Sequence, residues 1–231
     1  MEAIVLAGGL GTRLRSVVGD LPKPMASVNG RPFLAYVLDQ LVAAGFEASV
    51  LAVGYRHEAI SGHFGNAYRG MALRYSVESE PLGTGGAIRL AWQEGGSPEV
   101  FVLNGDTYLE TDYGAMLAAH REAGSQLSIA VHHVADTARY GALEIADDRI
   151  VGFREKGATG PGWINAGTYL LDSALRTRLP SLRHFSFEQD VLVPEVGSIR
   201  PLACRTPGLF IDIGVPDDYA RSPSLLRVVV G

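Results

Sequence analysis

Cysteine is almost absent: Cys204 stands alone in 231 residues. The chain can therefore close no internal disulfide and build no cysteine-rich zinc site, and a small buried hydrophobe is the expected role for the one thiol. Lysine and arginine form no cluster, and the net charge is −5. Binding a nucleic-acid backbone needs a basic face, so nucleic acid is excluded as the main partner and any anionic ligand must be met by a local site. Long apolar runs are missing too. Met1-Glu2 leads into a five-residue apolar stretch that is too short for a signal-peptide core or a membrane span, so a cytoplasmic chain without a membrane partner is expected. No segment repeats at a fixed period. The six histidines show no metal-ligand spacing. His132 and His133 are neighbours on an expected strand and point to opposite faces, while His57, His63, His120 and His184 suit surface or packing roles. No Ser-His-Asp or Cys-His constellation is present to supply a side-chain nucleophile.

Apolar content is ample, at 47%, enough for one large core and a single domain over 1–231. Strand-like runs at Ala3–Ala7, Ser49–Val53, Leu73–Val77 and Val100–Leu103 alternate with helical patterns. One helix is expected over Phe33–Ala44, with Phe33, Tyr36, Val37, Leu41 and Ala44 on one face, and another over about Thr84–Trp92. This alternation predicts an α/β fold with a Rossmann-like, doubly wound sheet, mostly parallel. Ligands of such sheets sit beyond the carboxyl ends of the strands. The second half is less regular, with strands expected at Leu127–His132, Ala142–Ala146, Ala166–Leu171 and Leu209–Ile213 and a glycine-rich loop over Gly157–Gly162, so the sheet is mixed.

The most informative segment is Leu6-Ala7-Gly8-Gly9-Leu10-Gly11-Thr12-Arg13-Leu14, which leaves the first strand through three glycines. Without side chains, glycines let backbone N–H groups approach an anion closely. The dinucleotide fingerprint fails here because Leu14 stands where its third glycine belongs, which disfavours a nicotinamide-dependent dehydrogenase. The P-loop fails because Gly11-Thr12-Arg13 replaces Gly-Lys-Ser/Thr. The loop instead carries Arg13, and Lys23 follows in Pro22-Lys23-Pro24. A planar bidentate fork and a mobile point charge beside a glycine cradle suit a triphosphate.

Two aspartates fit a metal ion over that phosphate. Asp106, in Asn104-Gly105-Asp106-Thr107, ends an apolar strand, and Asp212, in Phe210-Ile211-Asp212-Ile213-Gly214, lies between apolar neighbours where an unpaired charge is costly. Mg²⁺ takes one or two protein carboxylates and fills its octahedron with phosphate and water. On the residues alone, Asp106 also suits a helix cap and Asp212 a buried partner for an arginine. Glu80-Pro81-Leu82-Gly83-Thr84-Gly85-Gly86-Ala87 is a second glycine-rich turn whose backbone suits a base edge, although it equally suits a helix start with Thr84 as N-cap.

Taken together, these motifs resemble the sugar-phosphate nucleotidyltransferases, which make NDP-sugars from a nucleoside triphosphate and a sugar 1-phosphate. The resemblance implies a nucleotide-diphospho-sugar transferase fold with a nucleotide-binding half at about 1–125 and a sugar-binding layer at about 126–231. It implies nucleotide contacts from Leu6, Ala7, Gly8, Gly9, Gly11, Thr12, Arg13, Glu80, Pro81, Gly83, Thr84 and Gly105, and catalysis by Arg13, Lys23, Asp106 and Asp212. The last two would hold Mg²⁺, or Mn²⁺ in its place. Arg13 and the loop would hold the leaving pyrophosphate, and Lys23 would bridge the reacting phosphates. On the sugar side it implies Tyr140 and Gly141 with Glu155 at sugar hydroxyls, Lys156 at the sugar phosphate, and Asn165 and Gly167 lining the pocket. Many relatives have a proline after the Arg-Leu-x of the loop, where Ser16 or Val17 stands here. The absence of a repeat implies that the hexapeptide β-helix tail of some relatives is missing.

Within the family, Asp20-Leu21-Pro22-Lys23-Pro24-Met25 and Phe185-Ser186-Phe187-Glu188-Gln189-Asp190-Val191 look most like guanylyltransferases acting on D-glycero-α-D-manno-heptose 1-phosphate. GTP and that sugar are therefore the implied partners. Another nucleotide and sugar pair, such as GTP with mannose 1-phosphate or UTP with N-acetylmuramic acid 1-phosphate, is the alternative. A non-catalytic regulatory subunit is disfavoured by the presence of Arg13, Lys23 and both aspartates. The residues leave a homo-oligomer open.

Overall fold

The apolar run after Met1 forms β1 (Glu2–Leu6), a central strand of a ten-stranded sheet in a computed structural model that describes residues 1–9, 19–154, 157, 159–181, 183–214 and 216–226. A hairpin of β2 (Ser27–Val28) and β3 (Arg31–Pro32) leads into helix α1 (Phe33–Ala43). Then come β4 (Ala48–Val53), α2 (His57–Phe64), β5 (Ala67–Tyr68), β6 (Met71–Val77), α3 (Gly83–Ala91), β7 (Glu99–Asn104), β8 (Thr107–Leu109) and α4 (Tyr113–Glu122). The second half contributes β9 (Leu127–Val134), β10 (Leu143–Ala146), β11 (Arg149–Phe153) and β12 (Gly162–Asp172). A π-helical turn at Glu188–Leu192 then runs into α5 (Val193–Ile199), followed by β13 (Leu202–Arg205), β14 (Phe210–Asp212) and α6 (Pro216–Leu225).

The sheet order is β10-β11-β13-β9-β12-β7-β1-β4-β6-β5. Strands β7, β1, β4 and β6 are mutually parallel, as are β9 and β13. Only β5, β11 and β12 run against the common direction. Every residue of β4 is buried, as expected of a parallel strand covered on both faces by helices. Strand alternation then sorts the core into two layers. Ala3 and Val5 face a cluster with Phe33, Leu34, Leu38, Ile60 and Met116, from α1, α2 and α4. Ile4 faces the other way, toward Ala87, Ile88, Ala91 and Val191 from α3 and the π-helical turn.

The expected elements of the first half are found within one or two residues of their bounds. In the second half the strand expected at Ala166–Leu171 is longer, reaching back to Gly162, and the strand expected at Leu209–Ile213 is shorter. That short strand leaves the main sheet and forms a separate ladder with β8, in which Asp212 faces Thr107 and Ile211 faces Tyr108. This ladder brings the two halves of the chain together beside β1.

Candidate active site

Strands β1, β4, β6 and β7 end side by side, and their following loops form one edge. Gly105, after β7, donates its N–H to the Leu6 carbonyl at 2.9 Å, and Ala7 donates to the Ala52 carbonyl at 2.8 Å. These bonds extend the parallel ladders by one link and fix the start of the Gly8-Gly9 turn. Gly8 has no room for a side chain, since a Cβ there would stand 2.8 Å from the Glu78 carboxylate and 3.2 Å from the Gly54 nitrogen. Gly11, Thr12 and Arg13, assigned to the triphosphate, lie outside the described residues, as do Glu155 and Lys156.

A cavity of about 550 Å³ opens at this edge, lined by Leu6, Gly8, Ala52, Gly54, Tyr55, Glu78, Ser79, Glu80, Pro81, Gly83, Thr84 and Ala87. Six of the expected nucleotide residues line it: Leu6, Gly8, Glu80, Pro81, Gly83 and Thr84. Two details differ from expectation. Glu80 is turned outward, 55% exposed and paired with Arg183 at 2.7 Å, so its carboxylate serves the rim. The inward carboxylate is Glu78, whose Oε2 accepts the Leu82 N–H at 2.9 Å. Burial pushes the Glu78 carboxyl above its usual range, against the pull of that N–H. Tyr55 offers an aromatic ring at the mouth, 41% exposed. Neither residue belongs to a motif, and only the ends of β4 and β6 bring them here.

Thr84 is not the N-cap of α3. Leu82 holds that position, and Gly83 enters the helix at φ +70°, with the Phe185 carbonyl 2.5 Å from where a Cβ would stand. The Thr84 hydroxyl instead donates to Glu188 at 2.8 Å and accepts the Phe187 N–H at 2.9 Å.

Asp106, Asp212 and Lys23 meet at the carboxyl end of β7. Lys23 lies in a short 3₁₀ turn bracketed by Pro22 and Pro24, which holds the stem of a flexible side chain in place. Its Nζ is 2.5 Å from Asp106 Oδ2 and 3.9 Å from Asp212 Oδ1. The β8–β14 ladder positions the aspartates: Ile213 donates its N–H to the Asp106 carbonyl at 3.1 Å, and Gly214 donates to Asp212 Oδ1 at 2.7 Å. Burial raises the Asp212 carboxyl pKa, and the charge of Asp106 raises it further, while Lys23, the Gly214 N–H and Arg139 oppose the rise. Two carboxylates thus converge on one ammonium. Asp106 lies in a strand turn instead of capping a helix, and the ammonium of Lys23 is the nearer cation to Asp212, with the charge of Arg139 acting on it as well.

The pair also fits a hard divalent cation. All its donors are oxygens, and the mutual repulsion of the carboxylates is relieved by positive charge. Such a site supplies two protein ligands and leaves the other positions to phosphate and water.

Tyr140, Gly141 and Asn165 line a second cavity of about 510 Å³, together with Phe153, Arg154, Glu188, Gln189 and Val193. The Tyr140 ring stands edge-on to Phe210 at 5.7 Å between centroids, with the Arg139 guanidinium carbon over it at 5.0 Å from its centroid. The β9–β12 register shifts between Asn165 and Tyr169, a bulge that re-aims the Asn165 side chain. Gly167 does not line the cavity. Its N–H bonds the Asn165 Oδ1 at 3.0 Å, and it packs against Asn104, so it shapes the bulge. His132 and His133 face opposite ways, His132 stacked on Phe210 at 5.3 Å and His133 edge-on to Trp163 at 5.2 Å. Cys204 is partly buried, and burial pushes its thiol up to about 11. No described helix is long and apolar enough to cross a membrane.

The family model described as Nucleotidyl transferase matches residues 2–226. The chain is 41% identical over 227 residues to a D-glycero-alpha-D-manno-heptose 1-phosphate guanylyltransferase of Aneurinibacillus thermoaerophilus, covering 98% of this chain and 99% of that protein. It is 39% identical over 220 residues to a protein of the same name from Campylobacter jejuni, covering 95% and 97%. The crystal structure of HddC from Yersinia pseudotuberculosis complexed with GMP-PN matches with a TM-score of 0.87 at 38% identity, over 98% of this chain and 99% of that one.

Proposed function

The chain belongs to the nucleotidyl transferase family, and on that premise we propose that it transfers GMP from GTP to D-glycero-α-D-manno-heptose 1-phosphate. The products are pyrophosphate and GDP-heptose, which serves capsule or other surface glycan synthesis from the cytoplasm. The observation that carries this reading is the full-length identity to two guanylyltransferases of that name. The choice of base has independent support in Glu78. Guanine presents an N1–H and an exocyclic N2–H₂ on one edge, and a carboxylate is the side chain that only accepts. Uracil presents a single N–H flanked by two carbonyl oxygens, which the same carboxylate repels.

In the reaction, a sugar phosphate oxygen bonds to the α-phosphorus of GTP while the bond from that phosphorus to the α,β-bridging oxygen breaks, and pyrophosphate departs in line. The nucleophile is already an anion and the leaving group is a good one, so no side-chain nucleophile or general base is needed. Positioning and charge neutralisation remain as the sources of rate. The Gly8-Gly9 turn would offer backbone donors to the phosphates, and Arg13 is the residue assigned to the leaving pyrophosphate. Lys23, tethered by Asp106, delivers a positive charge where the two phosphates meet. Mg²⁺ held by Asp106 and Asp212 would supply Lewis-acid neutralisation of phosphate charge. Tyr140, Gly141 and Asn165, with Glu155 and Lys156, would receive the sugar phosphate.

The test is a panel of GTP, UTP, CTP and dTTP against D-glycero-α-D-manno-heptose 1-phosphate, mannose 1-phosphate and N-acetylmuramic acid 1-phosphate, followed by pyrophosphate release. GTP with the heptose should exceed the other nucleotides by at least ~10²-fold in kcat/KM, because a site that hydrogen-bonds one base leaves buried groups unpaired with another. Mannose 1-phosphate should be rejected less strongly, since one missing hydroxymethyl group is worth about 1–3 kcal/mol. A preference for UTP refutes the guanylyl assignment.

A further inference from the structure

The two cavities share a wall one hydrogen bond thick. Thr84 lines the first and Glu188 the second, and the Thr84 hydroxyl donates to Glu188 Oε2 at 2.8 Å. Ser186 adds a longer bond to the same oxygen, at 3.2 Å. The other oxygen, Oε1, accepts from the Tyr169 hydroxyl at 3.0 Å, and the Tyr169 oxygen accepts from Asn165 Nδ2 at 2.9 Å. Glu188 opens the π-helical turn, a local geometry concentrated at functional sites.

The direction of every link is dictated by the carboxylate, which has no proton to give. Thr84 and Tyr169 must both donate toward it. Tyr169 then has only lone pairs left for Asn165, so Asn165 must turn its NH₂ toward Tyr169 and its carbonyl toward the Gly167 N–H. One N–H of Asn165 remains, on a residue that lines the second cavity. Tyr169 is 1% exposed, and burial followed by the Glu188 charge drives its hydroxyl far above the usual range, so the middle link stays a neutral phenol.

We propose that Glu188 is a positioning residue: it presents Asn165 as a hydrogen-bond donor to the sugar 1-phosphate and, through Thr84, couples that donor to the helix start bordering the nucleotide. This rests on the nucleotidyl-transfer reading above, in which the first cavity takes the nucleotide and the second the sugar. A sugar hydroxyl or phosphate oxygen that accepts from Asn165 is the ligand feature recognised.

The experiment uses the full chain with Glu188→Gln, Tyr169→Phe and Thr84→Val. Steady-state kinetics are combined with calorimetric binding of α,β-methylene GTP, with and without heptose 1-phosphate. In the wild type the sugar phosphate should tighten analogue binding. Tyr169→Phe should raise the sugar phosphate KM by about tenfold, the scale of one lost buried hydrogen bond, with a smaller change in kcat. All three variants should bring the tightening factor toward one, a readout that mere loss of packing does not move. Unchanged sugar phosphate KM in Tyr169→Phe, or a tightening factor that survives in all three variants, overturns the proposal. So does a wild type in which the two ligands bind independently. Should Glu188→Gln fail to fold, the two milder variants decide the matter alone. If the wild type prefers another substrate pair, the substrate assignment fails in the wild-type panel, and the coupling is then measured with that pair and its own α,β-methylene analogue.

Discussion

The cavity proposed for the nucleotide and the cavity proposed for the sugar phosphate, the nucleotide side and the sugar side of that reading, are built from different materials. Beside the first cavity, the walls are the ends of parallel strands, and the decisive contacts are backbone ones: Gly105 to Leu6, Ala7 to Ala52, and a Gly8 that admits a carboxylate by lacking a Cβ. Beside the second cavity, the sheet is mixed and bulged, and the walls are side chains in a fixed order of donors and acceptors from Asn165 to Thr84. A backbone cradle suits phosphates, which are alike in every nucleotide. A side-chain lattice suits a sugar, whose identity lies in the direction of its hydroxyls. Lys23, Asp106 and Asp212 meet at the end of β7, the seam at which the proposed reaction would move charge.

Breaking the seam should have the largest effect. Activity should vanish in excess chelator and return with Mg²⁺ or Mn²⁺, and Asp106→Asn should lower kcat by ~10²-fold or more with the fold intact. Full turnover in chelator would show that the two aspartates serve only Lys23. The lysine comes next: Lys23→Ala should lower kcat by roughly 10²–10³-fold, the scale of a deleted preorganised electrostatic contact. Its melting temperature should fall as well, because the partly buried Asp212 loses a compensating charge beside Asp106.

A change confined to the nucleotide side should be smaller and selective. Glu78→Gln keeps the shape but replaces one acceptor by a donor, and it should reduce the preference for GTP over UTP by about 10–10²-fold, equivalent to roughly 1–3 kcal/mol. The sugar phosphate KM should hold. Equal losses with both nucleotides would move base reading away from Glu78.

The smallest expected effect lies under the sugar side and concerns stability. His120 is 1% exposed, its Nδ1 bonded to Ser128 at 2.7 Å. Burial holds its pKa below the ordinary value; Glu99 and Asp172 push it up, and Arg121 and Arg149 push it further down. A histidine buried neutral binds its proton more readily when the chain unfolds. Its contribution is therefore complete above the unfolded value of about 6.5 and is lost as pH falls through that value toward the folded one. The melting temperature should drop between about pH 7.5 and pH 5.5, and His120→Gln should flatten that slope. An identical slope in the variant would assign the acid sensitivity elsewhere.

Much of the nucleotide half is readable from the chain because its signals are local. A parallel strand covered on both faces must be continuously apolar, so Ser49–Val53 and Val100–Leu103 announce themselves. A long amphipathic helix such as Phe33–Ala43 is legible for the same reason. Short elements such as His57–Phe64 escape notice, since two turns hold too few apolar positions to show a period. Glu78 and Glu80 illustrate the limit within one segment. Both are acidic and two residues apart, yet the strand ends at Val77, and only the turn that follows sends one inward and the other to Arg183.

The amino-acid order by itself determined the chemistry on offer: a glycine cradle after a buried strand, cations at Arg13 and Lys23, and two aspartates each after an apolar run. Those are properties of residue type and near spacing. Tertiary structure decided which groups meet. Asp106 and Asp212 become one site only because β14 leaves the main sheet to pair with β8. Thr84 and Glu188 join the two cavities across 104 positions of chain. Such meetings depend on strand register and on where a turn releases the backbone, and those are settled by the packing of the whole sheet against its helices, which no short window of sequence contains.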